Sequence, residues 1–318
     1  MLSSLRQWFS AERFLEVDVP LLVPHPGLEP HIDPFEVPFV PGTDVGTRRA
    51  LYLHTSPEYA MKRLLADTPT ALFFLGKVFR NGEIAPAHNP EFTLLEFYRP
   101  HADYTAVMAD TEAALCAAAV AVRAAAGTAA SLLEKTPYER LTVDEAFATH
   151  AGFHLPKDGD VAALTKLARG VGVRTEPTDT FDDVFFRVML ERVEPALGRH
   201  RPVFLTEYPA SMASLARLKP GHPEVAERVE LYAGGHELGN GFSELTDAAE
   251  QRRRLQEEQA FRRAHGRPAF ELDERFLAAL PAMPPSSGIA IGVDRVLMLA
   301  LGATRIEDVL LFPARDFF

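Results

Sequence analysis

Residues 79–100 read FRNGEIAPAHNPEFTLLEFYRP. They join two strand-like runs, Leu72–Phe79 and Phe92–Tyr98, through roughly eleven polar residues. A hairpin needs only two to five. The surplus carries Arg80, Asn81, Gly82, Glu83, His88 and Asn89, so it holds charge and hydrogen-bonding capacity beyond the needs of a turn. If Phe92 opens the second strand, the two-residue period sets Phe92, Leu94, Glu96 and Tyr98 on one face. Two readings of that face are open: the wet side of an antiparallel sheet, or a floor that aims a carboxylate and a hydroxyl at a cation.

A second β-rich block lies at 227–247, ERVELYAGGHELGNGFSELTD. Gly234-Gly235 is a hairpin signal. Pairing around it sets Glu230 and Glu237 on one face, diagonal or directly opposite, where like charges cost stability. The block is either a solvated acidic hairpin or a seat for a divalent cation, commonly Mg²⁺ carried in with a nucleotide. Asn240, Phe242 and Glu244 alternate beyond it. At 287–302, SGIAIGVDRVLMLALG predicts a strand running into a helix. Gly288 and Gly292 allow close approach to the backbone. Arg295, near the helix start, suits a surface ion pair or a fork onto phosphate. The glycine spacing matches neither a P-loop nor a dinucleotide fingerprint. Thr55-Ser56-Pro57-Glu58 predicts another helix start, with hydroxyls to cap, proline in the first turn and Glu58 against the dipole.

Outward from these blocks, the pattern predicts a helix over 2–14, a strand over 14–19 and loop over 21–50 with a short strand at 35–40. Helices are expected near 104–126, 142–150, 160–170 and 181–197, strands at 202–208, 227–233 and 236–246, and helices at 247–265 and 272–280. The whole is an α+β fold around a largely antiparallel sheet flanked by helices. The chain has 318 residues and a formal net charge of −11, which argues against general affinity for nucleic-acid backbones. Its one cysteine, Cys116, excludes an internal disulfide and a cysteine zinc site, and fits a reducing cytoplasm. No signal peptide is read, and no uninterrupted apolar run reaches the roughly 18 residues of a membrane helix.

Three blocks, in this order, resemble the motifs of class II aminoacyl-tRNA synthetases: FLEVDVP (14–20), ending at Pro20, then FRNGE…HNPEFTLLEFY, then GIAIGVDR. HNPEF, ELGNGFSEL and IGVDR together resemble the lysyl branch. Within it the chain is similar to the stand-alone paralogues that modify translation elongation factor P with (R)-β-lysine. The features are Ser56 in TSPEYAMKRLL, YRPHAD after the second motif, Thr-Asp after NGFSEL, and Ala290 where synthetases carry glycine. The resemblance implies a single class II catalytic domain over 1–318, a helical insert at about 104–200, no anticodon-binding domain, a cytoplasmic homodimer, and no tRNA or membrane partner.

It further implies ATP-dependent activation of β-lysine as an acyl-adenylate, with elongation factor P as acceptor and Mg²⁺ as cofactor. By that resemblance Arg80 binds the α-phosphate and Arg295 the γ-phosphate, the two catalytic groups. Phe92 stacks on adenine. Asn81, Gly82, Glu83, Asn89, Leu238 and Gly292 surround the nucleotide, and His88 touches its terminal phosphates. Glu230 and Glu237 hold the metal. Ser56, Pro57 and Glu58 address the amine near the carboxylate, with Ala290 and Ser56 setting the choice between α- and β-lysine. Glu96, Tyr98 and Glu244, beside Asn240 and Phe242, hold the distal ammonium. One departure is Gly82, which stands where the motif has glutamate, with Glu83 following. Rival readings are a ligase for α-lysine or another acceptor, and a catalytically silent ligand-binding protein.

Overall fold

The computed structural model describes residues 1–42 and 48–317. The 43–47 part of the expected 21–50 loop, and Phe318, lie outside the described residues.

Six strands run antiparallel in the spatial order Leu72–Phe79, Glu91–Pro100, Ser286–Gly292, His236–Ser243, His222–Ala233 and Val203–Pro209. Two short parallel strands extend the ends: Leu15–Glu16 beside Leu72–Phe73, and Glu139–Thr142 beside Val203–Thr206. The strand expected over 14–19 shrinks to two residues, because beyond Val17 the backbone leaves the sheet edge toward Pro20. A separate three-stranded sheet joins Leu22–Val23, Arg49–Leu53 and Glu36–Phe39.

The pleat gives this sheet two different faces. On one, Phe73, Leu75, Leu95, Phe97, Val229, Leu231, Ile289 and Ile291 form the main core with helices Leu2–Ala11, Tyr104–Ala126 and Val293–Leu301. Phe9 is completely buried there, its ring stacked 4.9 Å from Phe73. Truncating such a side chain to alanine costs about 3–5 kcal/mol. Helix Tyr104–Ala126 is long and apolar enough to cross a membrane by composition alone. Here Val107, Leu115, Ala118 and Ala119 are buried in this core, with Asp103 capping its start and Gly127 ending it in the left-handed conformation.

The predicted insert over 104–200 therefore divides. Residues 104–126 belong to the main core, Glu139–Thr142 joins the sheet edge, and the segment after it builds a second core around Phe147, Leu164, Val184 and Phe185. The 139–142 strand escapes periodicity because its four residues include only one apolar side chain, Leu141.

The opposite face of the sheet carries the polar residues. Helices Glu58–Asp67 and Glu274–Ala279 pack over its outer end through Met61, Leu65, Phe276 and Leu277, above Phe74, Val78 and Leu94.

Candidate active site

Cross-strand register lines up the polar floor. One row reads Phe74, Glu96, Ala290, Asn240 and Glu230 across five adjacent strands. The next reads Tyr98, Gly288, Phe242 and Arg228. Gly288 serves Tyr98 rather than a ligand, since a Cβ there would lie 2.4 Å from the tyrosine ring. Gly292, two pleat repeats further along the same strand, does face the open space.

Parity poses a problem in the second hairpin, because Glu237 and Asn240 are an odd number of residues apart, yet both must reach the same face. A bulge resolves it. Glu230 pairs with Asn240 and Leu231 with Gly239, but Tyr232 pairs with Glu237. The extra residue flips the end of the strand, and Glu237 comes to lie diagonal to Glu230. Gly234 and Gly235 close the hairpin at φ of 63° and 79°, angles that suit glycine in a two-residue turn.

Above the floor the connection between Phe79 and Glu91 spans residues 80–90, so the long loop is real. It folds over a cavity of about 160 Å³ lined by Arg80, Glu83, His88, Asn89 and Phe92 at one end and Ser56, Glu58, Phe242 and Ala290 at the other. Arg295 pins the loop: its Nε donates to Ala87 O at 3.0 Å and its NH1 to Glu237 O at 2.8 Å. The C-terminal segment supports it from outside, through Ile306 N to Pro86 O and Ala314 N to Asn89 Oδ1. The Asn89 amide also donates to Glu91 O, so its polar atoms hold protein. Arg80 lies over the Phe92 ring, 5.1 Å from its centroid, with a buried Nε that has no hydrogen-bond partner. Burial, Arg295, Arg80 and His236 push His88 down to about 4, so it is neutral near pH 7.

Not every expected residue reaches this cavity. Asn81 and Gly82 are exposed on the outer side of the loop, Asn81 N bonded to Asp33 O. Gly82 has φ 82°, a turn conformation that points the loop outward and that a glutamate would strain. Glu83 lines the cavity instead, 3.7 Å from Arg80. Pro57 faces a neighbouring cavity and is itself the N-cap residue; Ser56 Oγ accepts from Glu58 N, while the Thr55 hydroxyl has no partner.

Beneath the Ser56 and Glu58 end lies a buried charge cluster. Glu96 accepts from Tyr98 Oη and Ser56 Oγ, both at 2.7 Å. Ser56 thus lines the cavity with its hydroxyl donated to Glu96. Glu244 meets Lys62, which the sequence reading missed: Lys62 Nζ lies 2.5 Å from Glu244 Oε2 and 2.6 Å from Glu58 Oε1, and is 1% exposed. On the helix EYAMKRLLAD, Met61, Lys62 and Leu65 are the buried face. Burial alone would push Lys62 down; Glu244 and Glu58 more than offset that and hold it above its usual value. Burial and Glu58 raise Glu96 to about 8, and burial raises Glu244 to about 8 as well.

The carboxylates expected to hold a metal differ from each other. Glu230 accepts from Tyr208, Tyr232 and Arg228, which fills three of a carboxylate's roughly four acceptor positions. Glu237 lines the cavity, and burial with the Glu230 charge raises it to about 7. A hard divalent cation would relieve that repulsion, and two carboxylates plus phosphate oxygens form a suitable donor set. No cluster of three or more ligating side chains occurs among the described residues. The cavity wall also contains Glu29, Ile32, Ser214, Leu215 and Asp294, none of which periodicity or motif singled out.

Comparison with known proteins agrees with this geometry. Residues 1–316 match the family described as tRNA synthetases class II (D, K and N). The chain is 42% identical over 318 residues to the "Elongation factor P--(R)-beta-lysine ligase" of Edwardsiella ictaluri, covering 98% of this chain and 92% of that protein. Proteins of the same name from Proteus mirabilis and Salmonella arizonae are 39% and 40% identical, with the same coverage. An antiparallel sheet roofed by a long arginine-bearing loop, joined to a match over nearly every residue, makes this chain a member of the class II tRNA synthetase family.

Proposed function

We propose that this chain uses ATP to activate (R)-β-lysine as an acyl-adenylate, then passes the acyl group to a lysine ε-amine of translation elongation factor P. The observation that carries this reading is the polarity of one cavity. Arg80, Arg295, His88 and Phe92 gather at one end, and Ser56 and Glu58 at the other, over a floor that holds Glu96, Tyr98 and Glu244. The names of the similar proteins support the same substrates.

In activation, a β-lysine carboxylate oxygen attacks the α-phosphorus, a new P–O bond forms, and the bond to the β-phosphate oxygen breaks. The attacking group is already ionised, so the protein needs no base for this step. Arg80 leaves the Phe92 ring for the α-phosphate, and adenine takes its place on the ring. Arg295 and neutral His88 face the departing pyrophosphate. These fixed donors act on charge that grows in the transition state. Glu237, with Glu230 behind it, would hold Mg²⁺, which supplies further neutralisation of phosphate charge. In transfer, the neutral acceptor amine attacks the acyl carbon, AMP departs with the electron pair of the acyl–oxygen bond, and the proton released from the new amide nitrogen passes to the AMP phosphate or to water.

Residues 1–318 act as one catalytic unit on a protein acceptor, and tRNA is not the acceptor; the net charge of −11 supports weak tRNA binding. The exposed Leu15 in the first motif, with Leu21 and Leu22 just after it, supports a homodimer, and the single free Cys116 supports a cytoplasmic setting. The test is incubation with ATP, elongation factor P and each lysine isomer. A mass gain of one lysyl unit on the factor, greatest with (R)-β-lysine, is expected. Charging of tRNA with no labelling of the factor overturns the reading.

A further inference from the structure

We propose that Glu29 is a specificity-determining residue: it shares with Glu58 the substrate ammonium nearest the reacting carboxyl. This rests on the lysine-ligase reading above and deepens it. Glu29 comes from a proline-rich loop with no motif character, yet it lines the reaction cavity beside Ser56, Glu58 and Arg80. It also lines the adjoining cavity of about 700 Å³, so it stands where the two meet. Its Oε2 is closed off from solvent and has no hydrogen-bond partner. A carboxylate oxygen closed off from water and left without a partner is costly, and proteins rarely keep one without a ligand to complete it.

The surroundings show what that ligand must be. Burial and the neighbouring Glu58 raise Glu29, while its own backbone N–H, and after it Arg80 and Arg262, pull it down more weakly. Glu258, raised to about 8 by burial and then by Glu29 and Glu58, adds a third carboxyl. Two of the nearby cations are committed elsewhere: Lys62 lies between Glu58 and Glu244, and Arg262 bonds the carbonyls of Glu29, Ile32 and Pro268 and the Asp33 carboxylate. That leaves Arg80 as the nearby cation lining the cavity, with three carboxyls around it. Negative charge therefore accumulates at this end, where an ammonium is the complement. A lysine isomer carries one such ammonium near its carboxyl. With the carboxyl drawn to the Arg80 end, that amine falls on the side of Glu58 and Glu29.

The backbone is built to hold the residue there. Arg262 is completely buried, and its NH1 fixes Glu29 O at 2.8 Å and Ile32 O at 3.0 Å. Gly27 leaves the room in which the carboxylate lies, since a Cβ at that position would come 2.2 Å from Oε2. A desolvated arginine clamping a loop rather than a core element is preorganisation of what the loop presents.

The experiment is a cycle between side chain and ligand. Glu29→Gln and Glu29→Asp are compared with wild type for the KM of the preferred lysine isomer in ATP–pyrophosphate exchange. The Ki of 6-aminohexanoate, which keeps the distal amine but lacks the near one, is measured alongside. In Glu29→Gln the KM should rise at least 10-fold, the Ki should change less than threefold, and the KM for ATP should be unmoved. Glu29→Asp should recover part of the loss. Equal changes for both ligands mean a structural role and overturn the proposal, as does an unchanged KM. A wild-type enzyme that activates no lysine isomer refutes the underlying function, whatever the variants do. If Glu29→Gln fails to fold, the same ratio read in Glu29→Asp decides.

Discussion

Replacing Lys62 with methionine keeps most of the stem and deletes the charge that sits between Glu58 and Glu244. Glu58, Glu96 and Glu244 would then share a buried site with no lysine among them. Breaking a buried pair by removing one partner costs about 3–5 kcal/mol, and the size here must depend on pH. Glu96 and Glu244 already titrate near 8 in the intact cluster. A carboxyl whose folded pKa exceeds its unfolded value of about 4.3 lends its full stabilisation below that pH and loses it as pH rises through the folded value. Without Lys62 the loss is steeper, because ionisation no longer meets a cation. The raised lysine itself contributes up to its unfolded pKa of about 10.4 and fades only above it. The expected loss in Lys62→Met is therefore about 3–5 kcal/mol at pH 8.5, but only about 1–2 kcal/mol at pH 5.5, where protonated carboxyls keep neutral hydrogen bonds. Urea unfolding of both proteins at the two pH values measures it. β-Lysine, which brings ammonium groups of its own, should recover part of the loss at pH 8.5. A loss equal at both pH values, or below about 1 kcal/mol at pH 8.5, refutes the charge-cluster argument.

Arg80→Ala and Arg295→Ala should each slow adenylate formation about 100-fold or more; pyrophosphate exchange reads this, and a change under about threefold removes the phosphate assignment. Only Arg295→Ala should also speed protease cleavage in the 80–90 loop, because Arg295 bonds Ala87 O. Gly82→Glu restores the glutamate of the family motif but places it at φ 82°, so it should destabilise by about 1–2 kcal/mol and weaken ATP binding. Tighter ATP binding in that variant would show the exposed position to be wrong. Gly288→Ala should raise the KM for β-lysine at least 10-fold with little change for ATP, since its methyl collides with the Tyr98 ring; equal effects on both substrates would count against the Tyr98 floor.

Much of this site was legible because it is written in local rules. The length of the 80–90 connection, the alternation of Phe92, Leu94, Glu96 and Tyr98, and the Gly234-Gly235 turn each follow from one stretch of chain, and each is found in the structure. What escaped depends on distant partners. Lys62 reads as a surface residue until the carboxylate of Glu244, far along the chain, accounts for its burial. Glu29 sits among prolines and gains meaning only from Arg262, which is 233 residues away. The bulge beside Glu237 leaves no mark in the alternation; it is imposed by the need to seat both Glu237 and Asn240 on one face. Glu139–Thr142 is too short and polar to declare itself, and forms because the Val203–Pro209 strand offers an edge.

The place of Ser286–Gly292 bears on how the molecule is made. It is the last strand in the chain, yet it lies between the 91–100 and 236–243 strands, joined to both. A ribosome releases the two hairpins first, and each waits with an edge unpaired until some forty further residues have emerged after Ser243. Until that strand arrives, the rows carrying Glu96 and Asn240 are not in register with each other, so no half-made chain can assemble the reaction floor. Nascent chains stalled before residue 286 should thus be the species that chaperones hold and that aggregate through open edges.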